Sequence, residues 1–221
     1  MGGARTQTRY KVNRRHRRPY PPRATRYGDP LIMTDRPKLL GISGSLRAGS
    51  FSTAVVEGLR VALAPRADLT VFRLNDVPLY NGDLDTATPP DGVAALRAAI
   101  AAADGIVLVS PEYNYGIPGV VKNAIDWASR PGGNGAIKGK PALIVTSSPG
   151  TTGGVRAQAE LRGALTAALA RPITYPHVAI ASVGKKIEDG KLTDKDALDF
   201  TLAAIDALMA EIRMLALARN G

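Results

Sequence analysis

Chemically capable side chains are concentrated in a segment rich in serine and glycine, SGSLRAGSFS at residues 43–52. Glycines allow the backbone to curl closely around a ligand, while the serine hydroxyls and the Arg47 guanidinium can donate hydrogen bonds to an anion. A helix that begins within this segment would add the partial positive charge of its N-terminus. The segment has neither the Gly-Lys-Ser/Thr of a P-loop nor a G-x-G-x-x-G fingerprint, so it suits a single phosphate. The alternative is a turn that only caps a helix.

Two later segments also combine helix breakers with polar or aromatic side chains. The first, SPEYNYGIPG at residues 110–119, offers backbone donors that can meet the edge of a planar heterocycle. The alternative for Tyr113 and Tyr115 is a rigid loop or a subunit contact. The second, SSPGTTGG at residues 147–154, places small residues where a backbone must approach a ligand closely, although a threonine that caps a helix would also explain it.

All three segments follow predicted strands of one sheet. Apolar runs predict strands at residues 39–42, 69–74, 105–109, 142–146 and 173–183, alternating with helices near residues 55–63, 93–103, 118–128, 155–169 and 198–212. This alternation predicts an α/β fold, a flavodoxin-like three-layer sandwich whose five-stranded parallel sheet has the order 2-1-3-4-5 and carries helices on both faces. In such a sheet, ligands bind beyond the carboxyl ends of the strands, near the switch point between strands 1 and 3. A bound ligand therefore explains the three segments together better than three unrelated turns do.

The positive charge of the chain is concentrated at its beginning. Residues 1–32 hold nine Lys or Arg against one acid, which accounts for +8 of the formal net charge of +10 and leaves +2 for the rest. Residues 1–37 are therefore predicted to be a basic, disordered extension, and residues 38–221 a single domain. The extension has three interpretations: a tail that binds nucleic acid or another polyanion, a targeting segment, or a stretch that contributes nothing to the fold. The third interpretation includes a start of translation at Met33, directly before the first predicted strand.

Residue counts exclude several kinds of site. The chain has no cysteine, which excludes a thiol nucleophile, a disulfide framework and a cysteine-ligated zinc or iron–sulfur centre. Its two histidines, His16 and His177, are far apart, so we expect no metal site. No apolar run approaches the roughly 18 residues of a membrane span, and residues 1–30 hold no apolar core of a secretory signal. We therefore expect a cytoplasmic protein that does not contact a membrane.

The three segments resemble those of the NADPH-dependent FMN reductases, a flavodoxin-like group that includes chromate, quinone and azo-dye reductases. The resemblance spans about residues 38 to 183. It is carried by GSLRAGS at residues 44–50, PEYNYGIPG at residues 111–119 with KNAIDW at residues 122–127, and SSPGTTGG at residues 147–154 with Arg156 and Ala157. The middle motif is the most specific of the three.

The resemblance implies FMN and NADPH as cofactors and assigns residues to FMN. Those expected at the phosphate are Ser45, Arg47, Ser50 and Ser52, with Leu46 and Phe51 of the same segment also binding the cofactor. Those expected around the isoalloxazine are Pro111, Glu112, Tyr113 and Asn114, with Ser147 flanking it. Two positions depart from the family pattern, because Ser52 stands where many relatives carry Asn and Gly116 where some carry Ser. No side chain is expected to be catalytic, since a flavin supplies its own reactive atom.

The expected reaction passes a hydride from NADPH to flavin N5 and then reduces an electron-poor acceptor. A quinone, an azo compound, a metal oxyanion such as chromate, and free flavin all remain open as acceptors. One alternative is a non-catalytic electron carrier of the flavodoxin type, although such carriers are usually strongly acidic and this core is not. Another is a polyanion-binding protein that acts through the basic tail, but nucleic acid is not the expected partner. The resemblance also implies a homodimer or homotetramer, with contacts through residues 75–90, residues 113–115 or the final helix.

Overall fold

The computed structural model describes residues 36–220 of the chain. The expectations for a basic extension and for a start at Met33 concern residues that, apart from residues 36 and 37, lie outside this range, so they stay predictions. No helix within the described residues is long and apolar enough to cross a membrane.

Strands and helices alternate along the chain. The strands are β1 (Lys38–Ser43), β2 (Asp68–Arg73), β3 (Gly105–Pro111), β4 (Pro141–Ser147), β5 (Arg171–Pro172), β6 (Val178–Ile180), β7 (Ile187–Glu188) and β8 (Lys191–Leu192). The helices are α1 (Phe51–Leu63), α2 (Asp91–Ala102), α3 (Gly119–Ala128), α4 (Val155–Ala167) and α5 (Lys195–Asn220).

The main sheet is parallel and has the order β2-β1-β3-β4-β5, which confirms the predicted flavodoxin-like topology. The fifth strand differs from the prediction, because β5 and β6 pair separately with β4. Ala142 of β4 lies opposite Pro172 of β5, and Val145 of β4 lies opposite Val178 of β6. An advance of three residues along β4 therefore corresponds to an advance of six residues from β5 to β6. The three extra residues bulge out of the sheet in a stretch that contains Pro176, which has no N–H to donate to a ladder.

Helices cover both faces of the sheet, as the nearly continuous burial of β1, β3 and β4 requires. Adjacent residues of a strand point to opposite faces, so Leu39 packs in the layer with α1 and α5. Leu40 packs in the layer with α2, α3 and α4. Trp127 of α3 is fully buried in the second layer, where it packs the helix against the sheet.

A short hairpin formed by β7 and β8 lies directly on α1 at Gly58. A Cβ added at Gly58 would stand 2.6 Å from the Leu192 carbonyl oxygen and 2.8 Å from its amide nitrogen. Because both atoms belong to the backbone, neither can move without displacing the hairpin. We therefore expect Gly58→Ala to lower the free energy of unfolding by about 1–3 kcal/mol in a urea titration.

The matched control for this prediction is Gly163→Ala on α4. An added Cβ there meets nothing within 4 Å, and the position lies in a regular helix. Alanine at such a site should raise the free energy of unfolding by about 0.5–1 kcal/mol. Shifts of the same sign in the two variants would contradict the packing of the hairpin on α1.

The long loop after β2 is fastened to α3 by hydrogen bonds. The Pro78 carbonyl accepts one from Trp127 Nε1 at 2.8 Å and one from Asn123 Nδ2 at 2.9 Å. Asn123 Oδ1 in turn accepts the backbone N–H of Tyr80 at 2.7 Å. The loop is therefore held in a defined place beside the second half of α3.

Asp85 fastens the same loop through two arginines. Its carboxylate accepts hydrogen bonds from Arg97 Nη2 at 2.8 Å and from Arg130 Nε at 2.9 Å, and only 10% of the side chain is exposed. The hydrogen bond from Arg130, followed by that from Arg97, holds the pKa of the Asp85 carboxyl below its usual range. The ionised form is thus favoured by folding.

This lowered pKa predicts an acid-dependent contribution to stability. The stabilisation by Asp85 is complete above the unfolded-state pKa, near pH 4, and is lost as the pH falls through the lower folded-state value. The difference in unfolding free energy between the wild type and Asp85→Asn should therefore shrink below about pH 4. Asp206→Asn, which breaks an exposed pair with Arg66, should cost little at any pH. An Asp85→Asn difference that is constant with pH would contradict this account.

Candidate functional site

The loop after β1 turns into α1 through buried hydroxyls. Ser50 is the N-cap of α1, and its Oγ accepts the backbone N–H of Thr53 at 3.2 Å. The Ser43 and Thr53 hydroxyls lie 2.8 Å apart and share a hydrogen bond. A capping serine uses its oxygen as the acceptor and keeps its own proton free to donate, so capping and anion binding are compatible. Sequence reasoning missed Thr53, although it lies three residues after the cap, the usual capping distance.

Arg47 stands on the outer side of this loop. Its Cζ lies 5.5 Å from the centroid of the Phe51 ring, and no carboxylate within residues 36–220 forms an ion pair with it. Leu46 next to it is 43% exposed. A guanidinium oriented by an aromatic ring and without a carboxylate partner in this part of the chain is available to an anionic ligand.

The loops after β1 and β3 meet at Gly44. Its N–H donates to the Val109 carbonyl at 2.8 Å. A Cβ at Gly44 would stand 2.7 Å from Val121 Cγ2 and 3.0 Å from Ser110 Cα, so no other residue fits without moving them apart. The same two loops also meet through their side chains, because the Ser45 Oγ and the Tyr113 hydroxyl are 3.5 Å apart. This is the switch point at which flavodoxin-like sheets bind ligands.

The loop after β3 contains a tight turn. Tyr113 and Gly116 exchange two backbone hydrogen bonds of 3.0 Å. Between them, Asn114 and Tyr115 have left-handed backbones with φ of 51° and 66°. The side chains of Tyr113 and Tyr115 are 47% and 71% exposed. The turn therefore presents its polar edge and two aromatic rings to solvent at the mouth of the site.

The Glu112 carboxylate binds the first turn of α4. It accepts the backbone N–H groups of Arg156 at 2.9 Å and Ala157 at 3.4 Å, as well as Arg156 Nη1 at 3.3 Å. The residue before α4 is Gly154, which offers no side-chain cap, so neither Thr151 nor Thr152 caps this helix as sequence reasoning allowed. Glu112 supplies the missing acceptor for the first turn of α4 from another loop.

The backbone of the loop after β4 packs closely against β4 and the loop after β3. Gly154 has φ of 79°, and a Cβ there would come within 3.2 Å of Thr146 Cβ and 3.3 Å of Glu112 Cβ. Ser147, the last residue of β4, lies opposite Pro111, the last residue of β3. Pro111 and Ser147, which are assigned to the same flavin ring from the sequence, are thus paired across neighbouring strands.

Two buried hydroxyls at this edge have no partner within the described chain. Ser52 Oγ in the first turn of α1 and Ser147 Oγ at the end of β4 are inaccessible and form no hydrogen bond with residues 36–220. Each of these side chains is only 2% exposed. Buried hydroxyls are almost always hydrogen-bonded, so both are suited to bind polar atoms of a ligand.

All eleven residues assigned to the ligand lie at the ends of β3 and β4, in the loops after β1 and β3, or in the first turn of α1. The structure shows direct contacts between some of them, namely Ser45 with Tyr113 and Arg47 with Phe51. Residues 37–185 match the model of the family described as NADPH-dependent FMN reductase. The chain belongs to that family.

Known FMN reductases and related enzymes are similar to this chain over most of its length. An NAD(P)H-dependent FMN reductase of Pseudomonas aeruginosa is 39% identical over 184 residues, which are 83% of this chain and 99% of the relative. A quinone reductase of Escherichia coli K12 is 37% identical over 179 residues, 79% of this chain and 95% of the relative. The solved structure of FerB, a flavoenzyme NAD(P)H:(acceptor) oxidoreductase of Paracoccus denitrificans, aligns with a TM-score of 0.73 at 32% identity, covering 80% of this chain and 98% of FerB.

Membership of the FMN reductase family makes the chain an oxidoreductase that uses FMN and a reduced nicotinamide nucleotide. The non-catalytic carrier is thereby disfavoured. The residues at the sheet edge fit FMN, because the buried hydroxyls of Ser52 in α1 and Ser147 in β4 have no hydrogen-bond partner within the described residues, while Gly44 and Gly154 keep side chains out of the junctions.

Proposed function

We propose that the chain is an NADPH:quinone oxidoreductase whose FMN lies across the carboxyl ends of β1, β3 and β4. The observation that carries this proposal is the pair of buried hydroxyls without a partner in the described residues, Ser52 Oγ in the first turn of α1 and Ser147 Oγ at the end of β4. Bound FMN would supply the two-electron chemistry that connects NADPH to the acceptor. The choice of a quinone is supported by the relative from Escherichia coli that is named a quinone reductase.

The loop after β1 would hold the phosphate of FMN. Ser45, Ser50 and Ser52 each have a hydroxyl proton to donate, and Arg47 adds a charge-assisted hydrogen bond. The N-terminus of α1 contributes its partial positive charge at the same place. Leu46 and Phe51 supply apolar contact beside these donors, and Phe51 also orients the Arg47 guanidinium.

The loops after β3 and β4 would hold the isoalloxazine. Pro111 and Glu112 contribute backbone, since the carboxylate of Glu112 already caps α4. Tyr113 and Asn114 present the edge of the turn, and Ser147 donates from the β4 side. Backbone N–H groups fixed in this way would stabilise negative charge on a bound ring system.

The chemistry requires no proton transfer from a side chain of the chain. Reduction of a quinone to a hydroquinone takes two electrons and two protons, which the hydride of NADPH and one proton from solvent supply. His177 is exposed in the bulge between β5 and β6. We therefore propose that the residues of this chain bind, orient and electrostatically stabilise the reactants and that none acts as a general acid or base.

A comparison of acceptors tests the quinone assignment. With NADPH as donor, kcat/KM should be at least about tenfold higher for benzoquinone than for an azo dye, chromate or free flavin, a difference of roughly 1.4 kcal/mol in transition-state stabilisation. A clear preference for any of the other three would move the assignment to that acceptor class.

We further propose that the enzyme is a homodimer or homotetramer. Large apolar side chains are exposed on the long loop between β2 and α2. Leu79 of this loop is 81% exposed and Leu84 is 42% exposed. Met214 and Leu217 near the end of α5 are 60% and 54% exposed. Exposed apolar side chains on two separate elements favour association of the chain with copies of itself. Light scattering on the full chain should give a mass of two or four subunits.

A further inference from the structure

The turn from Tyr113 to Gly116 is strained, and α4 holds it in place. Tyr115 has a φ of 66°, a backbone conformation that costs a residue with a Cβ about 1–3 kcal/mol. Such conformations persist only where the surrounding structure over-determines them. The contacts that restrain this turn therefore decide where its polar edge lies.

Glu160 of α4 contacts the backbone at the end of this turn. Its Oε2 accepts the backbone N–H of Ile117 at 3.0 Å. A Cβ added at Gly116 would stand 2.9 Å from the same oxygen and 3.3 Å from Oε1. The carboxylate thus lies against the backbone of residues 116 and 117, in the space that a side chain at residue 116 would need.

Two further contacts link the same segments. The Glu112 carboxylate accepts the N–H groups at the start of α4, and Arg156 Cζ lies 4.2 Å from the centroid of the Tyr115 ring. Arg156 and Glu160 are four residues apart and so lie on one face of the helix. Together the contacts join residues 112–117 to the first turns of α4, which begins directly after the loop that follows β4.

We infer that Glu160 is a positioning residue for the flavin ring: it fixes the turn after β3 relative to the loop after β4, so that both meet the isoalloxazine in register. This inference rests on the proposed function. Glu160 itself does not touch the ring in this assignment and acts through the backbone of residues 116 and 117. The loop after β1, which is proposed to bind the phosphate, makes none of these contacts with α4. Loss of Glu160 should therefore weaken the binding of flavins with and without a phosphate equally.

The test measures binding of FMN and of riboflavin, which lacks the phosphate, to the full chain by flavin fluorescence. Glu160→Ala should raise the Kd of both flavins by the same factor, about tenfold, as expected for loss of a hydrogen bond to a charged group. Glu160→Gln keeps an acceptor oxygen but loses the charge, so the contact is weakened and both Kd values should rise by a smaller factor, about threefold. Glu188→Ala, an exposed glutamate of the β7–β8 hairpin, is the matched control and should change neither Kd.

A second measurement covers the case in which Glu160→Ala does not fold. Amide hydrogen exchange of residues 113–117 should then be faster in Glu160→Gln than in the wild type, while exchange in α1 stays unchanged. Unchanged Kd values in a folded Glu160→Ala, a loss confined to FMN, or unchanged exchange in Glu160→Gln would each overturn the inference. A wild-type chain that binds neither flavin would instead overturn the proposed function.

Discussion

Replacing Arg47 with alanine should weaken FMN binding on the order of thirtyfold and leave riboflavin binding within about twofold of the wild type. The guanidinium is the only basic side chain in the loop from residue 44 to residue 50, and it stacks on Phe51 without a carboxylate partner within the described residues. A charge-assisted hydrogen bond to a phosphate is worth about 1.5–3 kcal/mol, and riboflavin has no phosphate to lose. Fluorescence titrations with the two flavins measure the difference directly.

Arg60→Ala is the control for this variant. Arg60 lies on α1 and pairs with Glu57 at 2.8 Å on the exposed side of the helix. Its loss removes the same formal charge from the chain and should leave both Kd values unchanged. Equal losses for FMN and riboflavin in Arg47→Ala would show that Arg47 does not bind the phosphate.

Replacing Gly44 with alanine should weaken the binding of both flavins by about tenfold or more and lower the free energy of unfolding by about 1–3 kcal/mol. The added Cβ would stand 3.0 Å from Ser110 Cα and 3.1 Å from the Val109 carbonyl oxygen, in addition to its contact with Val121. Since two of these atoms belong to the backbone of β3, relief of the clash must separate the loop after β1 from the loop after β3. The phosphate and the ring would then no longer be held in register.

Gly49→Ala is the control in the same loop. A Cβ at residue 49 meets nothing within 4 Å, so binding and stability should stay close to those of the wild type. Paired measurements of flavin binding and urea unfolding on the two variants separate a clash at the junction from a general need for glycine in the loop. Similar effects of the two substitutions would contradict the junction at Gly44.

The central sheet and the place of the site could be predicted because both depend on local patterns. The apolar runs that became β1, β3 and β4 are long enough to identify as buried strands, and the site follows from where parallel strands end. The hairpin of β7 and β8 could not be predicted in the same way. Its strands have two residues each, too few to show an alternation, and its Asp189-Gly190 turn is the only local signal.

The internal contacts of the site depend on partners that are remote in sequence. Glu112 binds the start of α4, 44 residues away, and Glu160 binds Ile117, 43 residues away. The local sequence around a glutamate in a polar loop or on a helix surface does not indicate which distant residue it contacts. The prediction that Glu112 borders the flavin ring therefore remains open for its backbone only, since its carboxylate is occupied at α4.

The most direct test of the central claim is an anaerobic absorbance titration of the full chain mixed with one equivalent of FMN. The account predicts that FMN binds, that one equivalent of NADPH bleaches the band of the oxidised flavin, and that benzoquinone restores it. If FMN binds but NADPH does not bleach it, the chain would be a non-catalytic electron carrier and not a reductase. A chain that does not bind FMN at all would contradict the assignment of the three loops.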